Sequence, residues 1–230
     1  MTASDERELL SSLILDFPPP NPPDVDDALK TITARYEQLG TGFNMVALAI
    51  AIERLISLDL LDSVILGVHR YLFNDILSNA GSYRKATDPN SGLVQFGPAN
   101  PRRARESLFT GISPTRIPEA LKTCCSILTG EDTDPVERSI RFYQHFVAYH
   151  PFYDANGRIA RFVVTMYLDV QGYYVNWKRL NEELSPKFLK RLNDCHKRMD
   201  GPKAKYEEYF QHLLHFWRKV VVKKEELEKL

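Results

Sequence analysis

The chain has no net charge: thirty Lys and Arg balance thirty Asp and Glu over 230 residues. Binding that coats nucleic acid leans on bulk positive charge, so a nucleic-acid partner is not expected. Cysteine is scarce and odd in number, with three residues of which Cys124 and Cys125 are adjacent. That argues against a disulfide framework and for a reducing compartment. Long apolar runs are missing. The longest, Met45 to Ile52, falls well short of the ~18 residues a bilayer span needs. The first ten residues carry Asp5, Glu6 and Glu8 where a signal peptide would be basic and apolar. The expectation is a cytoplasmic protein without a membrane partner. What is present is core material: 43% hydrophobic residues, near the globular norm, in a length that suits one domain with an appendage.

Residues 1–30 hold seven acids against two bases, and Phe17-Pro18-Pro19-Pro20-Asn21-Pro22-Pro23 reads as a polyproline spacer. Helical periodicity follows. Asp24 can cap a helix over 24–39, with Leu29, Ile32, Tyr36 and Leu39 on one face. Asn44 can cap the next, and 62–79 repeats the pattern. Residues 81–114 are rich in Gly and Pro, with one strand-like piece, Leu93-Val94-Gln95-Phe96. Such an insertion in a helical domain suits a lid as well as a plain connection. Helices resume over 117–128 and from Asp134-Pro135-Val136-Glu137, where Asp caps, Pro opens and Glu sits third. Another starts at Asn156, as its cap, with Ile159, Val163, Met166 and Val170 inside. Residues 185–200 and 203–229 complete the set. The class is all-α with one small β element.

The densest chemistry lies between two helices, in His150-Pro151-Phe152-Tyr153-Asp154-Ala155-Asn156-Gly157-Arg158-Ile159-Ala160-Arg161. The loop runs into a helix N-terminus, where free N–H groups and the helix dipole favour an anion. Gly157 leaves the backbone bare. Arg158 and Arg161, three apart, share a face and can grip phosphate oxygens bidentately. Asp154 offers the hard oxygen that Mg²⁺ takes when phosphates supply its other ligands. His150 can accept a proton near neutral pH. Any one of these fits a polar capped loop; together they describe a site for a Mg-bound polyphosphate with a base beside it.

The segment resembles the signature of the Fic family, H-x-F-x-D/E-G/A-N-G-R-x-x-R, met at His150, Phe152, Asp154, Ala155, Asn156, Gly157, Arg158 and Arg161. Residues 67–73 with Ala80-Gly81-Ser82-Tyr83-Arg84 look like the family's helix and its Gly-x-Tyr/Phe-Arg turn. The 85–100 segment lies where the family has a β-hairpin flap that aligns the target peptide. The resemblance implies a Fic-type helical bundle with such a flap. It divides the chain into a leader (1–44, with a candidate inhibitory helix at 24–39), a core (45–200) and a C-terminal helix (201–230).

It also implies a protein adenylyltransferase that moves AMP from Mg-ATP to a Ser, Thr or Tyr hydroxyl of a target protein. By that resemblance His150 is the general base and Asp154 holds Mg²⁺. Asn156, Gly157 and Arg158 cradle the α- and β-phosphates, Arg161 reaches the γ-phosphate, and Phe152 anchors the loop in the core. The related Doc toxins carry Lys at the position of Gly157 and act as kinases, so Gly favours AMP transfer. Removal of AMP from a modified target, another nucleotide donor, and a non-catalytic nucleotide-binding module are the alternatives. The family often dimerises, so a homodimer is an expected assembly.

Many family members carry an inhibitory S/T-x-x-x-E-G/N helix whose Glu pairs with the second arginine of the signature. Thr33 and Glu37 fit its first and fifth positions, with Gln38 in place of Gly or Asn. A Glu37–Arg161 pair is thus the candidate brake, against a plain polar stripe or an inhibitory Glu supplied by an antitoxin. His212 and His215, Cys195-His196 and Cys124-Cys125 read as structural. Arg102, Arg103 and Arg105 read as a solvated run beside the flap.

Overall fold

A computed structural model describes residues 3–41, 54, 60–97, 109–130 and 133–227. The expected helix after Asn44 and the arginine run at 102–105 lie outside the described residues. Among the described residues the fold is all-α, 68% helical with two small antiparallel sheets. No helix among the described residues is long and apolar enough to cross a membrane.

The leader holds a helix that the periodicity argument passed over. α1 spans Ala3–Asp16, and Leu10, Leu13, Ile14 and Phe17 fall on one face and are buried. The prolines then carry the chain, without helix, to α2 (Val25–Thr41). Asp24 caps α2: its Oδ1 accepts the N–H of Asp26 at 2.9 Å and of Asp27 at 3.3 Å. Arg7 of α1 pairs with Asp26 at 3.0 Å. Arg35 of α2 donates to the Leu72 and Asn74 carbonyls at 3.2 and 2.7 Å, which fastens α2 to the end of α3 (Leu61–Phe73).

The strand-like piece becomes β1 (Gln95–Phe96), paired antiparallel with β2 (Phe109–Thr110), Phe96 opposite Phe109. α4 (Ile117–Thr129) and α5 (Pro135–Tyr149) follow. The Asp134 carboxylate accepts the Glu137 N–H at 3.0 Å, as its spacing predicts. α6 (Asn156–Val170) buries all but a narrow polar stripe, with Ile159, Phe162, Val163, Val164, Met166 and Leu168 inside, so it is the central helix. It packs against α3, α5 and α2.

Two expectations about helix ends need correction. Asn156 does not cap α6; the cap is Ala155, in the left-handed region at φ 61°. Residues 203–229 are not one helix. α8 (Lys203–Trp217) stops, and β4 (Val221–Lys223) pairs with β3 (Tyr173–Val175), Tyr174 opposite Val222. The Val220-Val221-Val222 run is β-branched and suits a strand, and Val220 is fully buried. α7 (Ser185–His196) lies between β3 and α8 and packs on α8 and α5.

Candidate active site

The site forms where α5 ends and α6 begins. His150 terminates α5 in the left-handed conformation (φ 53°), its N–H bonded to the Phe146 carbonyl at 3.1 Å. Its Nδ1 lies 3.3 Å from the Val147 carbonyl. A carbonyl can only accept, so Nδ1 carries the hydrogen and Nε2 is left with its lone pair. Burial pushes the imidazole down to about 4, with the Val147 carbonyl opposing and the Arg84 charge adding to the drop. At neutral pH the ring is uncharged and can take a proton.

Arg84 holds this arrangement. It is only 2% exposed and donates to backbone carbonyls from three stretches of chain. Nε reaches the His150 carbonyl at 2.8 Å, and Nη2 reaches those of Ile112 at 2.9 Å and Tyr149 at 3.4 Å. Nη1 bonds the Gly92 carbonyl. The backbone N–H of Arg84 donates to the Pro151 carbonyl at 3.1 Å. One guanidinium thus ties the flap's two stems to His150. Gly111 passes so close that a Cβ there would stand 2.9 Å from Arg84 Nη2 and 3.2 Å from the His150 Cβ. Lysine keeps the charge but lacks the planar fork. Arg84→Lys is expected to lower unfolding stability by about 2–3 kcal/mol, the cost of buried carbonyls left unpaired, read from urea unfolding.

The loop beyond His150 is braced from inside. Phe152 is 1% exposed and stacks on His69 at 4.1 Å between centroids. His69 itself accepts the Gly81 N–H on Nδ1 at 2.9 Å. Asn156 uses its whole side chain on Phe152, accepting its N–H at 3.0 Å and donating to its carbonyl at 2.9 Å. The Asp154 Oδ1 accepts the Ala155 N–H at 2.6 Å. Burial raises the Asp154 pKa, while Arg158 pulls it back down.

At the mouth of α6 the first N–H groups have no acceptor within the helix. A Cβ at Gly157 would meet nothing within 4 Å, so the ground before this helix end is open. The Arg161 guanidinium lies over the Trp177 ring at 5.1 Å. Arg158 faces Glu6 of α1 at 3.6 Å, with the two side chains 28% and 41% exposed. α2 also turns toward these arginines. The Tyr36 hydroxyl is raised by burial and pulled down by the charges of Arg161 and Arg158. Glu37 is the next residue on that helix. Thr33 spends its hydroxyl on the Leu29 carbonyl at 2.9 Å.

The structure therefore brings His150, Asp154, Asn156, Gly157, Arg158 and Arg161 into one loop and helix end. Residues 59–168 match the model of the Fic/DOC family. The chain carries a Fic/DOC family domain. Among curated relatives, this chain is similar to "Protein adenylyltransferase fic-1" of Caenorhabditis elegans, 32% identical over 87 residues. That match covers 36% of this chain and 17% of the relative. The protein of the same name from Caenorhabditis briggsae is 29% identical over 108 residues, 46% of this chain and 20% of the relative. The chain thus spans about a fifth of the length of the curated relatives it matches. A Fic-domain signalling protein from Bacteroides thetaiotaomicron superposes with a TM-score of 0.55 at 18% identity, over 93% of this chain and 81% of that one, which shows the Fic helical fold.

Sequence reasoning missed Glu6, Tyr36 and His69 as neighbours of the Fic loop. Glu6 had a readable signal, the three-and-four spacing of Leu10, Leu13 and Phe17 that makes α1 amphipathic. His69 and Tyr36 had none, because only the packing of α2 and α3 against α6 brings them to the loop.

Proposed function

We propose that the Fic domain transfers AMP from Mg-ATP to a Ser, Thr or Tyr hydroxyl of a target protein. The observation that carries this reading is the pairing of an uncharged His150 with a bare, arginine-flanked helix N-terminus at the two ends of one loop. The names of the two curated relatives support it.

The hydroxyl gives its proton to His150 Nε2 as its oxygen attacks the α-phosphorus of ATP. The bond between the α-phosphorus and the bridging oxygen to the β-phosphate breaks, and pyrophosphate leaves with the electron pair. The α6 N–H groups, Arg158 and Arg161 hold the phosphates through that change of charge. Asn156 contributes its backbone N–H, since its side chain is committed to Phe152. Among the described residues no three His, Cys, Asp or Glu cluster to cage a metal. Mg²⁺ suits this donor set, with Asp154 as its protein carboxylate and phosphates and water as the rest. When bound it neutralises phosphate charge. Phe96 stacks on the face of the His150 ring at 4.2 Å, so the flap borders the place where a hydroxyl meets the in-plane lone pair of Nε2.

The test is label transfer from ATP carrying the label at the α- or the γ-phosphate. Protein labelling from the α-position only, absent in His150→Ala, supports AMP transfer. Labelling from the γ-position only makes the domain a kinase.

Two carboxylates bear on regulation. Glu6 competes with a phosphate for Arg158, a half-exposed contact worth little in itself. Glu6→Gln is expected to tighten Mg-ATP binding by about 2- to 5-fold, measured by calorimetry. Glu37 is the inhibitory residue of our reading, supported by the approach of neighbouring Tyr36 to Arg161. Glu37→Gly then raises labelling, and unchanged labelling discards that role.

A further inference from the structure

His196 ends α7 far along the chain from the Fic loop, and its sequence context reads as plain packing. The structure puts it against the flap. Its ring meets Phe109 at 5.3 Å and 89°, and Phe96 at 6.2 Å and 80°. Phe96 is the ring that stacks on His150 at 4.2 Å and 9°. One flap side chain therefore covers two imidazoles.

Both ring nitrogens of His196 are closed off from solvent, and neither has a hydrogen-bond partner among the described residues. The Gln144 backbone carbonyl is near enough to favour the charged ring, yet its geometry falls short of a hydrogen bond. The other half-buried histidines of this region are satisfied. His145 contacts the Tyr149 and Tyr206 hydroxyls at 3.1 and 3.2 Å, and His150 contacts the Val147 carbonyl. An orphaned imidazole costs stability that a phenyl ring in the same slot would not. Burial drives the His196 pKa down to about 3, so the ring is neutral, one nitrogen a donor and the other an acceptor.

We propose that His196 is a second histidine on the acceptor side of the active site, where one of its ring nitrogens hydrogen-bonds the target segment that presents its hydroxyl to His150. The inference rests on the AMP-transfer reading above. Its geometric core is independent of the chemistry: Phe96 touches both rings and Phe109 opposite it touches His196, so a movement of β1 and β2 together exposes both imidazoles. The arriving polypeptide then supplies the hydrogen bond that the closed flap withholds. His196 binds and positions the acceptor and has no part in holding ATP, which lies at the α6 end of the loop.

His196→Phe keeps the ring contacts with Phe96 and Phe109 and removes both orphaned nitrogens. Its thermal midpoint is expected to rise by a few degrees. Its apparent KM for acceptor, from initial rates of α-phosphate labelling over a dilution series of cell lysate, is expected to rise about 5- to 10-fold. Its affinity for Mg-ATP stays at the wild-type value. His196→Gln, which keeps a donor and an acceptor, recovers part of the loss. A His196→Phe variant that labels as well as the wild type overturns the proposal. So does a parallel loss of ATP affinity or of thermal stability, which would make the residue structural. If wild type and His150→Ala label alike, the AMP-transfer reading itself fails and takes this one with it.

Discussion

His150→Ala is expected to lower AMP transfer by roughly 10²–10⁴-fold, the usual contribution of a positioned general base. Affinity for Mg-ATP should change little, because the groups we propose to bind phosphate sit at the other end of the loop on α6. The variant loses a ring stacked on Phe96, so its far-ultraviolet circular dichroism and thermal midpoint must accompany the rate. The same assignment fixes a pH profile. The pKa of His150 is lowered to about 4, chiefly by burial. The base is fully available at pH 7 and is lost only as pH falls toward that value. The acid limb of kcat/KM, which reports the free enzyme, should therefore lie well below the 6.5 of an ordinary histidine.

Acidification should also weaken the fold. His69 and His196 are lowered to about 3, and His145 and His150 to about 4, in each case chiefly by burial. A group with a depressed folded pKa contributes stability above its unfolded value and loses it as pH falls. From about pH 6.5 downward the unfolded chain gains protons that the folded chain refuses. At pH 5.5 each histidine withdraws about 1 kcal/mol, and the four together about 4 kcal/mol. That is a large part of the 5–15 kcal/mol typical of a folded domain. Asp154, raised by burial, acts in the opposite direction. The expected result is a thermal midpoint roughly 10 °C lower at pH 5.5 than at pH 7.5 in calorimetry at constant ionic strength. Equal midpoints would mean that these rings titrate alike in the folded and the unfolded chain.

Much of the fold was legible because its signals are local. Asp134-Pro135-Val136-Glu137 marks a helix start whatever surrounds it, and Asp134 accepts the Glu137 N–H as expected. The Fic loop was legible for the same reason, since its ionic groups lie within twelve consecutive residues. Asn156 shows the limit of such reading. It is a helix-capping residue type at a helix start, yet its amide serves Phe152 and the cap is Ala155. The strand β4 was hidden because its partner, β3, lies some fifty residues earlier, and periodicity in one window cannot see a pairing. His196 was hidden in the same way. Nothing in Cys195-His196-Lys197 indicates that α7 ends against the flap. Arg84 was noted within a turn, but its role depends on four carbonyls from three separate stretches of chain.

The intact mass of the reaction products tests the central claim most directly. Wild-type protein and His150→Ala are each incubated with Mg-ATP and acceptor protein, and the acceptor and the enzyme are both weighed by mass spectrometry. The account predicts a covalent gain equal to one AMP on a hydroxyl residue in the wild-type reaction, and none with His150→Ala. A gain equal to one phosphate, or an AMP adduct of the same yield without His150, would contradict it.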